Sequence, residues 1–149
     1  MTRVVIVCGA GGVGKTTTSA ALAVRLAESG QRVAVLTIDP ARRLADALGV
    51  EALGNIASAV PVAGGSLDAL MLDAKETFDE IVRKNAPSPD VRDRILKNHY
   101  YRFVSSRLPG VHEYMAMERL LELTDSNRYD VVVLDTPPTR QALDFLSAP

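Results

Sequence analysis

The chain has 149 residues, 47% of them hydrophobic, which suits one domain with a real core and is globular rather than disordered in composition. Charged residues make up 23%, yet the net charge is only −1, so no global field favours nucleic acid or an acidic membrane. A single cysteine, Cys8, excludes an intrachain disulfide framework.

Val4 to Cys8 is a short run rich in β-branched residues, the pattern of a strand buried on both faces, and Cys8 at its end reads as a small buried hydrophobe. The run is shorter than a signal-peptide core, and no segment approaches ~20 apolar residues, so a cytoplasmic protein is expected. A glycine loop follows, and Thr16 to Ser29 is a helix rich in small residues, stopped by Gly30. Val33 to Ile38 is a second buried strand ending at Asp39-Pro40. Ala41 to Leu48 is a short helix stopped by Gly49. Val50 to Ser66 lacks a pattern and reads as loop, before a third strand at Leu67 to Leu72.

Ala74 to Lys84 is helical, broken by "NAPSP", and Asp90 to Ser106 gives one or two polar helices. The basic residues from Arg83 to Arg107 read as a solvated helical face. His112 to Leu123 is amphipathic, with Met117, Leu120 and Leu121 expected inward. Tyr129 to Leu134 is the last strand, ending at Asp135, and Thr139 to Leu146 a last helix. Strands alternating with helices predict an α/β domain with a mainly parallel sheet and right-handed crossovers. No internal repeat is present.

The stretch "GAGGVGKTT", Gly9 to Thr17, fits two phosphate-binding patterns. Gly9, Gly11 and Gly14 satisfy the dinucleotide fingerprint G-x-G-x-x-G; Gly9, Gly14, Lys15 and Thr16 satisfy the P-loop G-x-x-x-x-G-K-[ST]. Asp39, at the end of the second strand, suits the first reading, which places a ribose-binding acid about 20 residues on. Lys15 and Thr16 decide for the second. A lysine there reaches β- and γ-phosphate oxygens, and a threonine hydroxyl ligates Mg²⁺; a dinucleotide site needs neither. "VVVLD" adds a buried strand whose carboxylate, Asp135, can support the metal. Gly9, Gly11, Gly12 and Gly14 let successive N–H groups converge on phosphate oxygens at a helix N-terminus.

Three stretches, "GAGGVGKTT", "TIDPARRLADALGV" and "VVVLDTPPTRQALDFLSAP", together resemble the arsenite-pump and tail-anchored-protein-targeting ATPases, a branch of the deviant-Walker P-loop NTPases. "RLPGVHEYMAMERL" is similar to the stretch before that family's last motif. The resemblance implies a P-loop NTPase fold, with residues 1–149 the N-terminal portion of an ATPase domain that continues beyond this length. It implies Mg²⁺-dependent ATP hydrolysis coupled to a conformational switch, with ATP and Mg²⁺ as cofactors. It also implies a homo- or heterodimer formed through the nucleotide face and an unidentified protein client or membrane partner. Gly9 and Gly11, Gly12, Val13, Gly14, Lys15, Thr16 and Thr17 would hold the phosphates, and Thr16 with Asp135 the metal. Asp39, in a first switch, would activate water beside Lys15, and Thr136 to Thr139 would form a second switch. A plainer reading makes Asp39 the N-cap of the helix from Ala41 to Leu48.

Two positions depart from the family. Ala10 stands where it usually carries a signature lysine that reaches a partner's ATP, and Arg140-Gln141 replace a Gly-His pair. Loss of such a charge predicts slow hydrolysis, since transition-state cations contribute ~10³–10⁵ in rate. Arg140 is a candidate stand-in, with Arg42 and Arg43 weaker ones.

Arsenite needs two or three thiolates, which Cys8 alone does not provide. "HEYMA" at His112 lacks the second histidine of a zinc-protease pair. His99 and His112 read as surface or capping residues, Tyr100, Tyr101 and Phe103 as a packing face rather than a base-stacking platform, and Met115 and Met117 as core. Nucleic acid is not an expected partner. The competing functions are a chromosome-partitioning or septum-positioning ATPase acting on DNA or membrane surfaces, and a nucleotide-binding regulator that barely hydrolyses.

Overall fold

In the computed structural model, residues 1–107 and 110–137 are described, without the side chains of 106 and 107. The elements in chain order are β1 (Arg3–Val7), α1 (Lys15–Glu28), β2 (Arg32–Thr37), α2 (Arg43–Leu48), β3 (Ser58–Val60) and β4 (Ser66–Met71). Then come α3 (Ala74–Asn85), α4 (Pro89–Lys97), α5 (His99–Arg107), α6 (Val111–Asp125) and β5 (Val131–Asp135). The expected helix from Thr139 to Leu146 lies outside the described residues.

One sheet runs in the order β1-β5-β2-β4-β3. The pairs β1–β5, β5–β2 and β2–β4 are parallel; only β3 is antiparallel, on β4. β5 is thus inserted between the first two strands of the chain. Side-chain alternation sends β2 and β5 into two cores. Val33, Val35, Val131 and Val133 meet the alanine stripe of α1, Ala20, Ala23 and Ala27. Ala34, Leu36, Val132 and Leu134 meet α6 through Met115, Ala116 and Leu120. Each large apolar side chain buried this way stabilises by roughly 1.5–3 kcal/mol relative to exposure. The small residues of α1 bring its backbone close to the sheet, which fixes the loop that precedes it.

Local chemistry sets the boundaries. Gly49 and Gly110 carry positive φ at helix ends, where only glycine is unstrained. Asp73 caps α3 by accepting from Glu76 N–H at 2.9 Å, and Ser88 caps α4 ahead of Pro89. "NAPSP" is the break between them, and Asn98 separates α4 from α5, so the polar region is two helices. The Tyr129 hydroxyl donates to Asp68 at 2.7 Å; burial and that bond push it up to about 12. Arg32 pairs with Asp130 at 2.7 Å and holds its carboxyl down at about 2.

Several expectations need correction. β1 is the edge of the sheet among the described residues and is not buried on both faces: Val4 is 40% and Ile6 37% exposed, and Cys8 is exposed too. The last strand, β5, is central and fully buried instead. The stretch 50–66 is not all loop, because Ser58–Val60 pairs with β4; three residues are too few for a periodic signal. Met115 is core as expected, but Met117 and Leu121 lie on the outer face of α6. Tyr101 packs edge-on against Phe78 and bonds Asp79, whereas Tyr100 and Phe103 are exposed, so the three share no single face. Within the basic stretch Arg83, Lys84 and Arg92 pair with Glu76, Glu122 and Asp93, the solvated face expected.

Candidate functional site

The site lies at the carboxyl edge of the sheet, at the point where β5 separates β1 from β2, the usual place for a ligand in an open α/β sheet. Val7, Asp135 and Thr37 are aligned across the three strands in register. The glycine loop leaves β1 after Val7 and runs into α1. Gly12 and Gly14 have φ of 79° and 85°, the left-handed geometry that turns the loop back over the helix start. Gly14 is the N-cap position, with no side-chain cap and no acidic residue in the first turn. The first turn of α1 therefore carries no acidic residue of its own against the helix's positive end.

Lys15 Nζ donates to the carbonyl of Ala10 at 3.0 Å, so the side chain arches over the loop. One residue on, Thr16 Oγ1 donates to Asp135 Oδ2 at 2.9 Å. Asp135 is only 1% exposed. It is held by two more hydroxyls: Ser19 Oγ to Oδ1 at 3.2 Å and Thr37 Oγ1 to Oδ2 at 3.0 Å. Three donated bonds compensate the burial of this carboxylate and fix both of its oxygens. Thr136 anchors the next turn through its hydroxyl, which donates to the Val7 carbonyl at 2.8 Å.

Asp39 stands beyond the end of β2. Its N–H donates to Thr37 Oγ1 at 3.2 Å, so Thr37 joins Asp39 to Asp135 through one hydroxyl. Its carboxylate accepts from Ala41 N–H at 2.9 Å and from Arg43 Nη1 at 3.1 Å. Asp39 is not the helix cap the plainer reading made it: α2 starts only at Arg43, with Arg42 at the cap position, and Asp39 closes a local turn instead. Arg42 turns away and donates to the Glu51 carbonyl. Arg43 shares a cleft of about 600 Å³ with Gly12, Gly14, Lys15, Thr16 and Thr17.

The structure thus brings together Gly12, Gly14, Lys15, Thr16, Thr17 and Asp135, with Asp39 joined to them through Thr37. Gly9, Gly11 and Val13 complete the loop between β1 and α1. Pro138, Thr139 and Arg140, the rest of the expected second switch and the candidate stand-in cation, lie outside the described residues. Ser19, Thr37 and the placement of Arg43 in the cleft went unread in the sequence. Two signals were available: Ser19 follows Thr16 by three residues on one helix face, and Thr37 is the sole hydroxyl in the apolar run of β2.

The residues fit a phosphate tail with Mg²⁺. A helix start without a side-chain cap and an ammonium suit phosphate oxygens, and a hydroxyl that gives its proton to Asp135 keeps lone pairs for a hard cation. Among the described residues no group of three or more His, Cys, Asp or Glu could hold a metal by itself. No helix among them is long and apolar enough to cross a membrane.

"ATPase GET3" of Malassezia globosa is 38% identical to the chain over 151 residues, covering 97% of it and 42% of that protein. "ATPase get3" of Aspergillus terreus is 34% identical over 148 residues, covering 99% of this chain and 43% of that one. "ATPase GET3" of Mycosarcoma maydis is 33% identical over 141 residues. The chain therefore spans less than half the length of these relatives. The family described as anion-transporting ATPase matches residues 2–149, nearly the whole sequence and the entire constellation just described. The glycine loop, the buried Asp135 and the mainly parallel sheet are thus those of a P-loop NTPase, and the chain belongs to the anion-transporting ATPase family.

Proposed function

We propose that residues 1–149 form the N-terminal portion of a Mg²⁺-dependent ATPase domain whose hydrolysis drives a conformational switch. The observation that carries this reading is the bond from Thr16 to the buried Asp135 beside Lys15 and the left-handed glycines. When ATP is bound, the N–H groups from Gly9 and Gly11 through Thr17 take its phosphates, and Lys15 leaves the Ala10 carbonyl for them. Thr16 and Asp135 would hold Mg²⁺, which neutralises phosphate charge as transfer proceeds. Ser19 and Thr37 hold the Asp135 carboxylate in orientation. Asp39 orients the attacking water, and its link through Thr37 lets the metal end of the site and the first switch move together. Membership of an ATPase family and the three relatives named ATPase support this reading.

Ala10 offers no cation to a facing copy, so hydrolysis is slow unless a partner supplies one. The protein works as a homo- or heterodimer closed over the nucleotide face, with a protein client or membrane partner. Steady-state ATP turnover with Mg²⁺, on the longest natural polypeptide containing this chain, tests the reading. Lys15→Ala should abolish binding and turnover together, and Asp39→Asn should retain binding and lose turnover. Full turnover in Asp39→Asn would remove Asp39 from its role; full turnover in Lys15→Ala would remove the whole reading.

A further inference from the structure

We infer that Arg43 is a second phosphate-binding cation of this site, held by Asp39 while the cleft is empty and handed to the phosphate tail when nucleotide enters. The inference rests on the nucleotide-binding reading above and adds to it a residue and a device. Arg43 Nη1 sits 3.1 Å from Asp39 Oδ2, and Arg43 lines one cleft with Gly12, Gly14, Lys15, Thr16, Thr17 and the acidic Asp46. Arg43 therefore already borders the space that phosphates would fill.

The present pairing is easy to exchange. The Arg43 side chain is 69% exposed, and an exposed pair four residues apart contributes little. A polyphosphate offers several anionic oxygens in place of one, in the planar geometry a guanidinium matches with two parallel bonds. Asp39 is the more enclosed partner, its side chain 23% exposed, and it keeps its bond from Ala41 N–H when Arg43 leaves. Departure of Arg43 frees Oδ2, the oxygen not engaged by Ala41, to accept a hydrogen bond from water and orient it. The acid is thus masked in the empty site and unmasked by the substrate's own charge. Arg42 is not equivalent, because it is directed to the Glu51 carbonyl.

The test is calorimetric titration of ATP with Mg²⁺ into the longest natural polypeptide, comparing native, Arg43→Ala, Arg43→Lys, Asp39→Asn, the double variant Asp39→Asn/Arg43→Ala, and Lys15→Ala. Loss of one charge-assisted contact should weaken binding about tenfold in Arg43→Ala, with partial recovery in Arg43→Lys. Asp39→Asn removes a repulsive charge in any background, but it also releases Arg43. It should therefore tighten binding by a larger factor with Arg43 present than in the Arg43→Ala background. An equal factor in both backgrounds, or native affinity in Arg43→Ala, overturns the exchange. If Lys15→Ala still loses binding in that event, the nucleotide site stands and only the role of Arg43 falls; if Lys15→Ala also binds like the native protein, both fall.

Discussion

Replacing Thr37 by valine keeps the shape of the side chain and removes one hydroxyl, which tests the junction between the two acids. Thr37 is 2% exposed, and its hydroxyl donates to the buried Asp135 at 3.0 Å while accepting from Asp39 N–H at 3.2 Å. A hydrogen bond to a charged group is worth about 1.5–3 kcal/mol, and the neutral bond about 0.5–1.5 kcal/mol. The Asp39 N–H lies near the surface and recovers much of its share from water. The added methyl returns about 0.8 kcal/mol as buried hydrocarbon. Thr37→Val should therefore cost about 1.5–3 kcal/mol in urea unfolding, with an unchanged slope. Thr37→Ser keeps both bonds and should lose only about 1 kcal/mol of packing. A double-mutant cycle with Asp135→Asn should show coupling of at least ~1 kcal/mol, because the two residues share the contact. Stability of Thr37→Val within about 0.5 kcal/mol of native, and no coupling, would refute the argument that hydroxyls sustain the buried carboxylate.

Gly65→Ala should destabilise by at least ~2 kcal/mol in thermal or urea unfolding, because its Cβ would collide with the Gln31 carbonyl and lie 2.6 Å from the Ala27 carbonyl, both backbone; a neutral outcome would mean that the 64–66 turn yields readily. The Arg32–Asp130 pair gives an acid signature. The carboxyl lies at about 2 when folded against 3.8 unpaired, so the contribution is complete above pH 3.8 and is lost as pH falls through about 2. In Arg32→Ala the backbone N–H still donates to Asp130, so the acid limb of the stability profile should lose only the side chain's share of that slope, and an identical limb in both proteins would contradict the assignment.

The strands were legible where burial comes from both faces. "VAVLT" and "VVVLD" are nearly continuous apolar runs because β2 and β5 sit in the middle of the sheet with helices on each side. "RVVIV" has the same look but forms an edge among the described residues, since composition records a strand's propensity and not its position in a sheet whose pairings join residues more than a hundred apart. The glycine loop was legible because it is contiguous: glycines, lysine and threonine follow one another between β1 and α1. The setting of Asp135 was not, because Thr16, Ser19 and Thr37 converge on it from two elements brought together only by the inserted strand. The alternative that made Asp39 a cap fails for a related reason. An aspartate two residues ahead of an N–H closes a turn, and one shift in helix start converts one motif into the other.

The central claim is that the glycine loop and Lys15 grip a nucleotide's phosphates, and ATP affinity tests it most directly. Titration of ATP with Mg²⁺ into the native protein and Lys15→Ala should give measurable binding in the first and at least about a 100-fold loss in the second, as expected for removing a charge-assisted contact at a helix N-terminus. Equal affinity in the two proteins would contradict the account.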